Sequence, residues 1–354
     1  MENYTSDSSD SENNGKVLDY AYLLMNSETV ENRFDTVIKD PKKSHLDVEN
    51  IILHHNQLNL LPVNLNKFSN MKVLDVSNNG LTILPDVFEY CSLTTLIAKN
   101  NSLSNDSLPK SFNNTSTLRE LNLNGNQITN FPEQILEFTN LKFLYLGGNG
   151  MLFISKNIYK LQSLQVLSFG GNNLTEVPAT LGHLKHLYAL ILCDNKLEGL
   201  PANIANLHNL KSLMLHKNHL RTLPPEIVAL KNLTELSLRE NPLVVRFVSD
   251  MSYNPGSLLE LSARSVKSHN MDVKPGDVPL TLLDYLNSAH HCVNPNCKGV
   301  FFNNRVEHIK FVDFCGKYRI PLLQYLCSSK CANGPKEDIV RPSKSYLMKK
   351  VLLG

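Results

Sequence analysis

Nine asparagines, Asn56, Asn79, Asn101, Asn126, Asn149, Asn172, Asn195, Asn218 and Asn241, recur at intervals of 23, 22, 25, 23, 23, 23, 23 and 23 residues. Each closes the same phrase, clearest in Leu187-Tyr-Ala-Leu190-Ile-Leu192-Cys-Asp-Asn195. Alternating leucines make a short strand with one apolar face, and a fixed period requires that face to pack on its equivalents in the neighbouring copies. A single copy buries nothing by itself, so the copies must stack. Such a run specifies an α/β solenoid with a parallel sheet along one side. The asparagine suits the tight turn after the strand, because its amide can satisfy backbone groups that would otherwise be buried unpaired.

After the turn most copies carry Leu-Pro, as at Leu61-Pro62, Leu84-Pro85, Leu200-Pro201 and Leu223-Pro224, followed by spaced apolar residues such as Ile204, Leu207 and Leu210. This phrase resembles the intracellular 23-residue class of leucine-rich repeats. The resemblance implies a curved solenoid with a concave parallel sheet and short helical or irregular convex segments. It covers residues 46–250. The fifth copy has Ser155 in place of Pro, and the third lengthens its loop through Ser104 to Ser107, without loss of register. A solenoid needs shielded ends, so 17–45 is expected to hold a helical cap over Val17 to Val37, with Leu18, Tyr22, Leu23, Leu24 and Val30. The acidic segment 1–16 is expected to be disordered.

The chain of 354 residues is 42% hydrophobic, enough for the repeat domain and a smaller module, and its net charge of +2 gives no general reason to expect nucleic acid or membrane as a partner. Met1 to Gly15 lacks the basic and apolar regions of a secretory leader, and no later run is long and apolar enough to span a bilayer. The expectation is a cytoplasmic protein, with the nucleus also open to it.

Strand residues between the core leucines point onto the concave face. In the middle copies these are Phe143 and Tyr145, Val166 and Ser168, Ala189 and Ile191, then Ser212 and Met214, with glycines at 147, 148, 170 and 171 beside them. The first, fourth and ninth copies are mostly polar there, including Glu120, Asn122 and Arg239. An apolar patch with a polar rim marks a protein-binding surface, and the expected contacts are Phe143, Tyr145, Val166, Ile191, Met214, His216 and Arg239. Cys193 and His216 occupy equivalent positions on neighbouring strands, but no orienting group or oxyanion hole accompanies them, so no catalysis is expected.

The period ends after Asn241. Ser257-Leu-Leu-Glu260 has the Ser-x-x-Glu form of a capping box, and a short helix should follow. Its apolar pattern alone suits a cap laid against the last repeat. However, Ser257-Leu258-Leu-Glu-Leu-Ser262-Ala-Arg-Ser-Val266 resembles the box by which cullin-ligase substrate receptors bind Elongin C, with Ser262 replacing the usual Cys. Val278-Pro279-Leu-Thr-Leu282-Leu-Asp-Tyr-Leu286 then resembles the cullin-2 box of such receptors; a cullin-5 box would favour Pro at Thr281. The resemblance implies that Leu258, Ser262 and Val266 face Elongin B/C and that Val278, Pro279, Leu282 and Leu286 face cullin-2, within helices over 251–289. The whole chain resembles an intracellular leucine-rich repeat family with such a module, which implies a non-enzymatic receptor subunit presenting a protein substrate for ubiquitination. The alternative is a scaffold or regulatory binder in phosphatase or small-GTPase signalling, whose C-terminal module is only a cap.

Five of seven cysteines fall in the last quarter. In a reducing compartment Cys292-x4-Cys297 and Cys327-x3-Cys331 read as four thiolates around a structural zinc, within a module spanning 290–332. His290, His291, His308 and Cys315 are alternative ligands. A basic tail, 333–354, completes the chain.

Overall fold

The computed structural model describes residues 16–41, 44–244, 256–313, 319–331 and 350–352. The repeat phrase produces the strands β2 (Asn50–Ile52), β3 (Val73–Asp75), β4 (Thr95–Ile97), β5 (Glu120–Asn122), β6 (Phe143–Tyr145), β7 (Val166–Ser168), β8 (Ala189–Ile191), β9 (Ser212–Met214) and β10 (Glu235–Ser237). Each pairs in parallel with the next, and the central leucines are in register, for example Leu167 with Leu190 and Leu190 with Leu213. These leucines are fully buried, each contributing about 1.5–3 kcal/mol of transfer free energy.

The asparagines form a continuous ladder. The Asn195 amide nitrogen donates to the Phe169 carbonyl of the previous copy at 2.9 Å and to Leu192 and Cys193 of its own at 3.1 Å. Its carbonyl oxygen accepts from the Leu174 N–H at 3.0 Å. The same acceptance, between 2.9 and 3.1 Å, occurs at all nine positions. The residue before every one of these asparagines has positive φ, from His55 through Gly125, Gly148 and Gly171 to Glu240. That left-handed residue turns the chain so that the amide points into the stack.

On the convex side short 3-10 turns begin at proline, as with Pro178 before Ala179–His183 and Pro201 before Ala202–Asn206. Proline's fixed φ suits this entry. In the fifth copy Ser155 restores the turn differently, its hydroxyl accepting the Asn157 N–H at 3.1 Å.

The N-terminal cap is only partly helical. The strand β1 (Val17–Asp19) pairs with β2, and the helix α1 is confined to Ser27–Lys39, capped by Asn26 accepting from Thr29 N–H. Residues 17–19 extend the sheet because its open edge offers backbone partners that a helix there would leave unmet. Tyr22, Leu23 and Leu24, expected to cover the core, are exposed, while Val30 and Phe34 are buried, the Phe34 ring centroid lying 4.9 Å from that of Phe68.

After the repeats come α2 (Leu258–Ser268), α3 (Leu280–Asn287), β11 (His290–His291), β12 (Val300–Phe301), β13 (Val306–Asp313), β14 (Arg319–Leu326) and β15 (Lys350–Leu352). The cap on the last repeat is not α2. The antiparallel β13–β14 hairpin brings Ile320 and Leu322 into the solenoid's own core, with the Leu223 N–H donating to Pro321 O at 3.0 Å and the Leu323 N–H to Leu223 O at 2.9 Å. A strand edge can meet backbone groups of the final loop that a helix, bonded internally, cannot. β15, within the segment expected to be a tail, pairs in parallel with β10 and becomes the eleventh strand of the sheet. The acidic N-terminal segment 1–15 and most of 332–354 lie outside the described residues.

Candidate functional site

The concave face is ruled into rows by the strand register. One row runs Glu120, Phe143, Val166, Ala189, Ser212, Glu235, and the next Asn122, Tyr145, Ser168, Ile191, Met214, Ser237. Val166 and Ser168 are only 8% and 7% exposed, whereas Phe143, Tyr145 and Ile191 on the flanking strands β6 and β8, and Met214 one strand further, are half-buried. Small side chains on β7 therefore floor a trough whose walls are aromatic and aliphatic. Beside it, a Cβ on Gly147 would stand 2.7 Å from the Gly170 carbonyl oxygen, and one on Gly170 would stand 2.9 Å from Cys193 Sγ. Bare backbone is thus required at Gly147, while a side chain at Gly170 would have to displace the Cys193 thiol.

Burial, then the nearby Glu120 and Tyr188, raises the Tyr145 phenol pKa, and burial raises that of the Glu120 carboxyl. Both effects report a partly desolvated surface. Burial also raises the Cys193 thiol pKa, the opposite of what an activated nucleophile needs. The His216 ring nitrogen Nδ1 lies 3.2 Å from the Ser237 hydroxyl. Arg239 is exposed at the last strand's end.

In the C-terminal module α2 divides into two faces. Leu258 is 81% exposed, Leu259 and Leu261 about half, and Ser262 is also exposed. Val266, expected on that same docking stripe, instead packs against the module's interior of Ala263, Leu286, Val300 and Phe302. Leu286 is itself part of this interior, so of the residues assigned to the cullin box only Pro279 and Leu282 are exposed, with Val278 half-buried. Leu282 and Leu286 share a face of this eight-residue helix, but only its C-terminal end reaches the module's interior, where Tyr285 stacks on Phe302 at 4.6 Å.

Glu260 was expected to close a capping box. Ser257 does accept the Glu260 N–H at 3.2 Å, but the Glu260 side chain turns inward and is 2% exposed. Its carboxylate accepts from the backbone N–H groups of Phe302, at 3.2 Å, and Asn304, at 3.0 and 3.1 Å, and pairs with the Arg264 guanidinium at 2.6 Å. Arg264 also donates to Cys327 O at 2.8 Å and to Asn304 O. The sequence did carry a sign of this pair, an i,i+4 Glu–Arg spacing, which is equally common on solvated helix faces.

The Sγ atoms of Cys292, Cys297, Cys327 and Cys331 all lie within 4.8 Å of one another. Cys297 to Cys327 is 3.5 Å and Cys327 to Cys331 is 3.6 Å, beyond the ~2.05 Å of a disulfide and close to the ~3.8 Å between ligands of a tetrahedral thiolate site. The Gly299 N–H points at Cys297 Sγ at 3.3 Å, and a Cβ on Gly299 would fall 2.8 Å from Cys327 Sγ. Burial, then hydrogen bonding with Cys297 and Cys331, pushes the Cys327 thiol pKa up. His290 and His291 are exposed on β11, His308 lies on β13, and Cys315 falls outside the described residues.

Leucine-rich repeat models match residues 185–243, 70–91 and 163–184, and a two-copy leucine-rich repeat model matches 116–156. Leucine-rich repeat-containing protein 58 of Homo sapiens is 62% identical over 317 residues, covering 88% of this chain and 85% of that protein. The protein of the same name from Xenopus laevis is 61% identical over 318 residues, covering 87% and 90%. The chain belongs to the leucine-rich repeat-containing protein 58 family. Among solved structures, a leucine-rich repeat protein of Leptospira interrogans is similar with a TM-score of 0.52 and 28% identity, covering 65% of this chain and 62% of its own. The family's repeats make a protein-interaction scaffold, and leucine-rich repeat proteins are in general non-catalytic. No helix among the described residues is long and apolar enough to cross a membrane.

Proposed function

We propose that the chain is the substrate-receptor subunit of a cullin-2 ubiquitin ligase. The concave trough holds a protein substrate, α2 docks Elongin C of the Elongin B/C pair, and Pro279 with Leu282 meets the cullin. The observation that carries this reading is the two-faced α2. Its polar side and Ala263 are committed to the module, while Leu258, Leu259 and Leu261 stand in solvent. A chain that needed this helix only as a cap would bury those leucines, at about 25 cal/mol per Å² of area removed from water.

Catalysis in this assembly belongs to partner enzymes. Holding a substrate lysine near a charged ubiquitin carrier raises its effective concentration, which needs rigidity and no catalytic side chain. The four cysteines take a structural zinc with closed coordination, because four sulfurs at these separations leave no position for water or substrate. The protein works in the cytoplasm, with the nucleus open to it.

The scaffold alternative, in phosphatase or small-GTPase signalling, draws on the hairpin, since β14 caps the last repeat through Leu223. Purification with Elongins B and C separates the two readings. The receptor should form a stable complex that Leu258→Glu abolishes in a folded protein, and absence of any complex with the wild-type chain would reject the receptor reading. Elemental analysis of freshly purified, reduced protein should find one zinc per chain, reduced by Cys297→Ser.

A further inference from the structure

On α2, exposed leucines share one short helix with Glu260 and Arg264, whose side chains reach the segments that carry the four cysteines. We infer that the leucines and the cysteines form a single unit in which Glu260 and Arg264 are positioning residues, so that filling the cysteine site with zinc sets whether α2 can dock a partner. This rests on the reading of α2 and of the cysteine site given above.

Apolar packing of α2 is slight, coming from Ala263 and the half-buried Val266 against Leu286, Val300 and Phe302. Eleven residues is below the length at which an isolated helix is stable in water. Only Glu260 and Ala263 of the helix are buried, and alanine contributes little apolar area. The main polar anchor is therefore the ion pair, whose partners are the segment just after the first cysteine knuckle and the carbonyl of Cys327 in the second.

Glu260 grips the N–H groups of Phe302 and Asn304, just after the first knuckle, where the Cys292 N–H donates to Gly299 O at 2.9 Å. Arg264 holds the carbonyl of Cys327, which opens the second knuckle. The two knuckles are joined directly by Asn294 Nδ2 donating to Cys331 O at 2.9 Å. Zinc bound to all four thiolates would lock the knuckles at the separation that lets one Glu–Arg pair span both. Without it, the knuckles are held only by weak thiol contacts such as Cys297 to Cys327, by the Asn294–Cys331 bond and by the start of the β13–β14 hairpin, so they can loosen around the sulfurs. Glu260 would then be a buried carboxylate with its acceptor geometry broken, and water would compete for it by loosening α2.

The distinguishing measurement is residue-resolved amide hydrogen exchange on the full chain, zinc-loaded and after chelation under reducing conditions, with zinc content checked each time. Chelation should cut protection across α2 by about 100-fold or more while that of β3 to β8 stays within about threefold, and added zinc should restore it. Arg264→Lys, which keeps the charge but loses the planar fork, should lower α2 protection with zinc still bound one per chain. Elongin B/C binding, measured in parallel, should fall with α2 protection. Unchanged α2 protection after verified zinc loss, or wild-type protection in Arg264→Lys, overturns the coupling. If α2 responds to zinc as expected but the loaded chain does not bind Elongin B/C, the coupling stands and the receptor reading fails.

Discussion

Removing one rung of the asparagine ladder is the sharpest test of what holds the solenoid. In Asn195→Ala the carbonyls of Phe169 and Leu192 keep a second amide donor, Asn172 at 2.9 Å and Asn218 at 2.9 Å, and Cys193 O keeps the Gly171 N–H at 2.9 Å. The group left without a partner is the N–H of Leu174, whose acceptor at 3.0 Å was Asn195 Oδ1 in a site 7% exposed. One orphaned buried donor costs about 1–3 kcal/mol, and three lost second bonds add about 1 kcal/mol together, so the expected loss is about 2–4 kcal/mol. Asn209→Ala is the control, since its amide meets Lys185 O at 2.8 Å on the exposed convex side and should cost no more than about 0.5 kcal/mol. Asn195→Asp keeps the acceptor for Leu174 but turns a carboxylate oxygen toward three carbonyls, so it should be at least as damaging as alanine at pH 7. With no tryptophan in the chain, urea unfolding is followed by circular dichroism. Because repeat arrays need not unfold in one step, exchange of the Leu174 amide locates the effect. If Asn195→Ala lies within about 1 kcal/mol of Asn209→Ala, the ladder is not what the hydrogen-bond argument says it is.

Gly148 has φ +62° and its Cβ would approach Gly125 N to 3.3 Å, so Gly148→Ala should destabilise by about 1–2 kcal/mol, while Lys217→Gly, at the same turn position with φ 56°, should be neutral or slightly stabilising in thermal unfolding. Glu49, hydrogen-bonded by Lys72 and Lys16, is held at about 2, below its ordinary 4.5. A depressed carboxylate gives stability that is present above 4.5 and lost as pH falls through about 2, so the deficit of Glu49→Gln at pH 7 should shrink as pH drops through that window. A Cys193 thiol raised by burial should react with iodoacetamide at pH 7.5 more slowly than a free cysteine, as read by mass spectrometry; a faster rate would reopen the nucleophile question that its neighbour His216 raises.

The strands, their register and the outward rows were legible from the leucine and asparagine spacing, because a two-residue alternation within a fixed period leaves one way to stack. The left-handed residue before each asparagine was only partly legible, since Gly125, Gly148 and Gly171, and more weakly Asn78, Asn100 and Asp194, suit it while His55, Lys217 and Glu240 adopt the same conformation under the pull of the ladder. The trough was half legible. Spacing placed Phe143, Tyr145 and Ile191 on one face, but that Val166 and Ser168 sink between them depends on the size of side chains on adjacent strands.

Beyond Asn241 no period constrains the chain, and local patterns were ambiguous in a definite way. The Ser-x-x-Glu phrase starts a helix at Ser257 as expected, yet whether the glutamate turns back to the cap or inward is settled by the N–H groups of Phe302 and Asn304, 42 and 44 residues away. Likewise the apolar steps of the two boxes do not say which side is buried; Val300 and Phe302 decide that by covering Val266 and Leu286 and leaving Leu258 in water. The sequence by itself determined the repeat solenoid, the residues on its concave face and the crowd of cysteines, because these follow from residues at fixed local spacing. Only the tertiary structure decided that a hairpin and not a helix closes the last repeat, that the four sulfurs named by their spacing converge without His290, His291 or His308, and that Glu260 and Arg264 tie their segments to α2, because each is a contact between segments whose separation along the chain obeys no repeat.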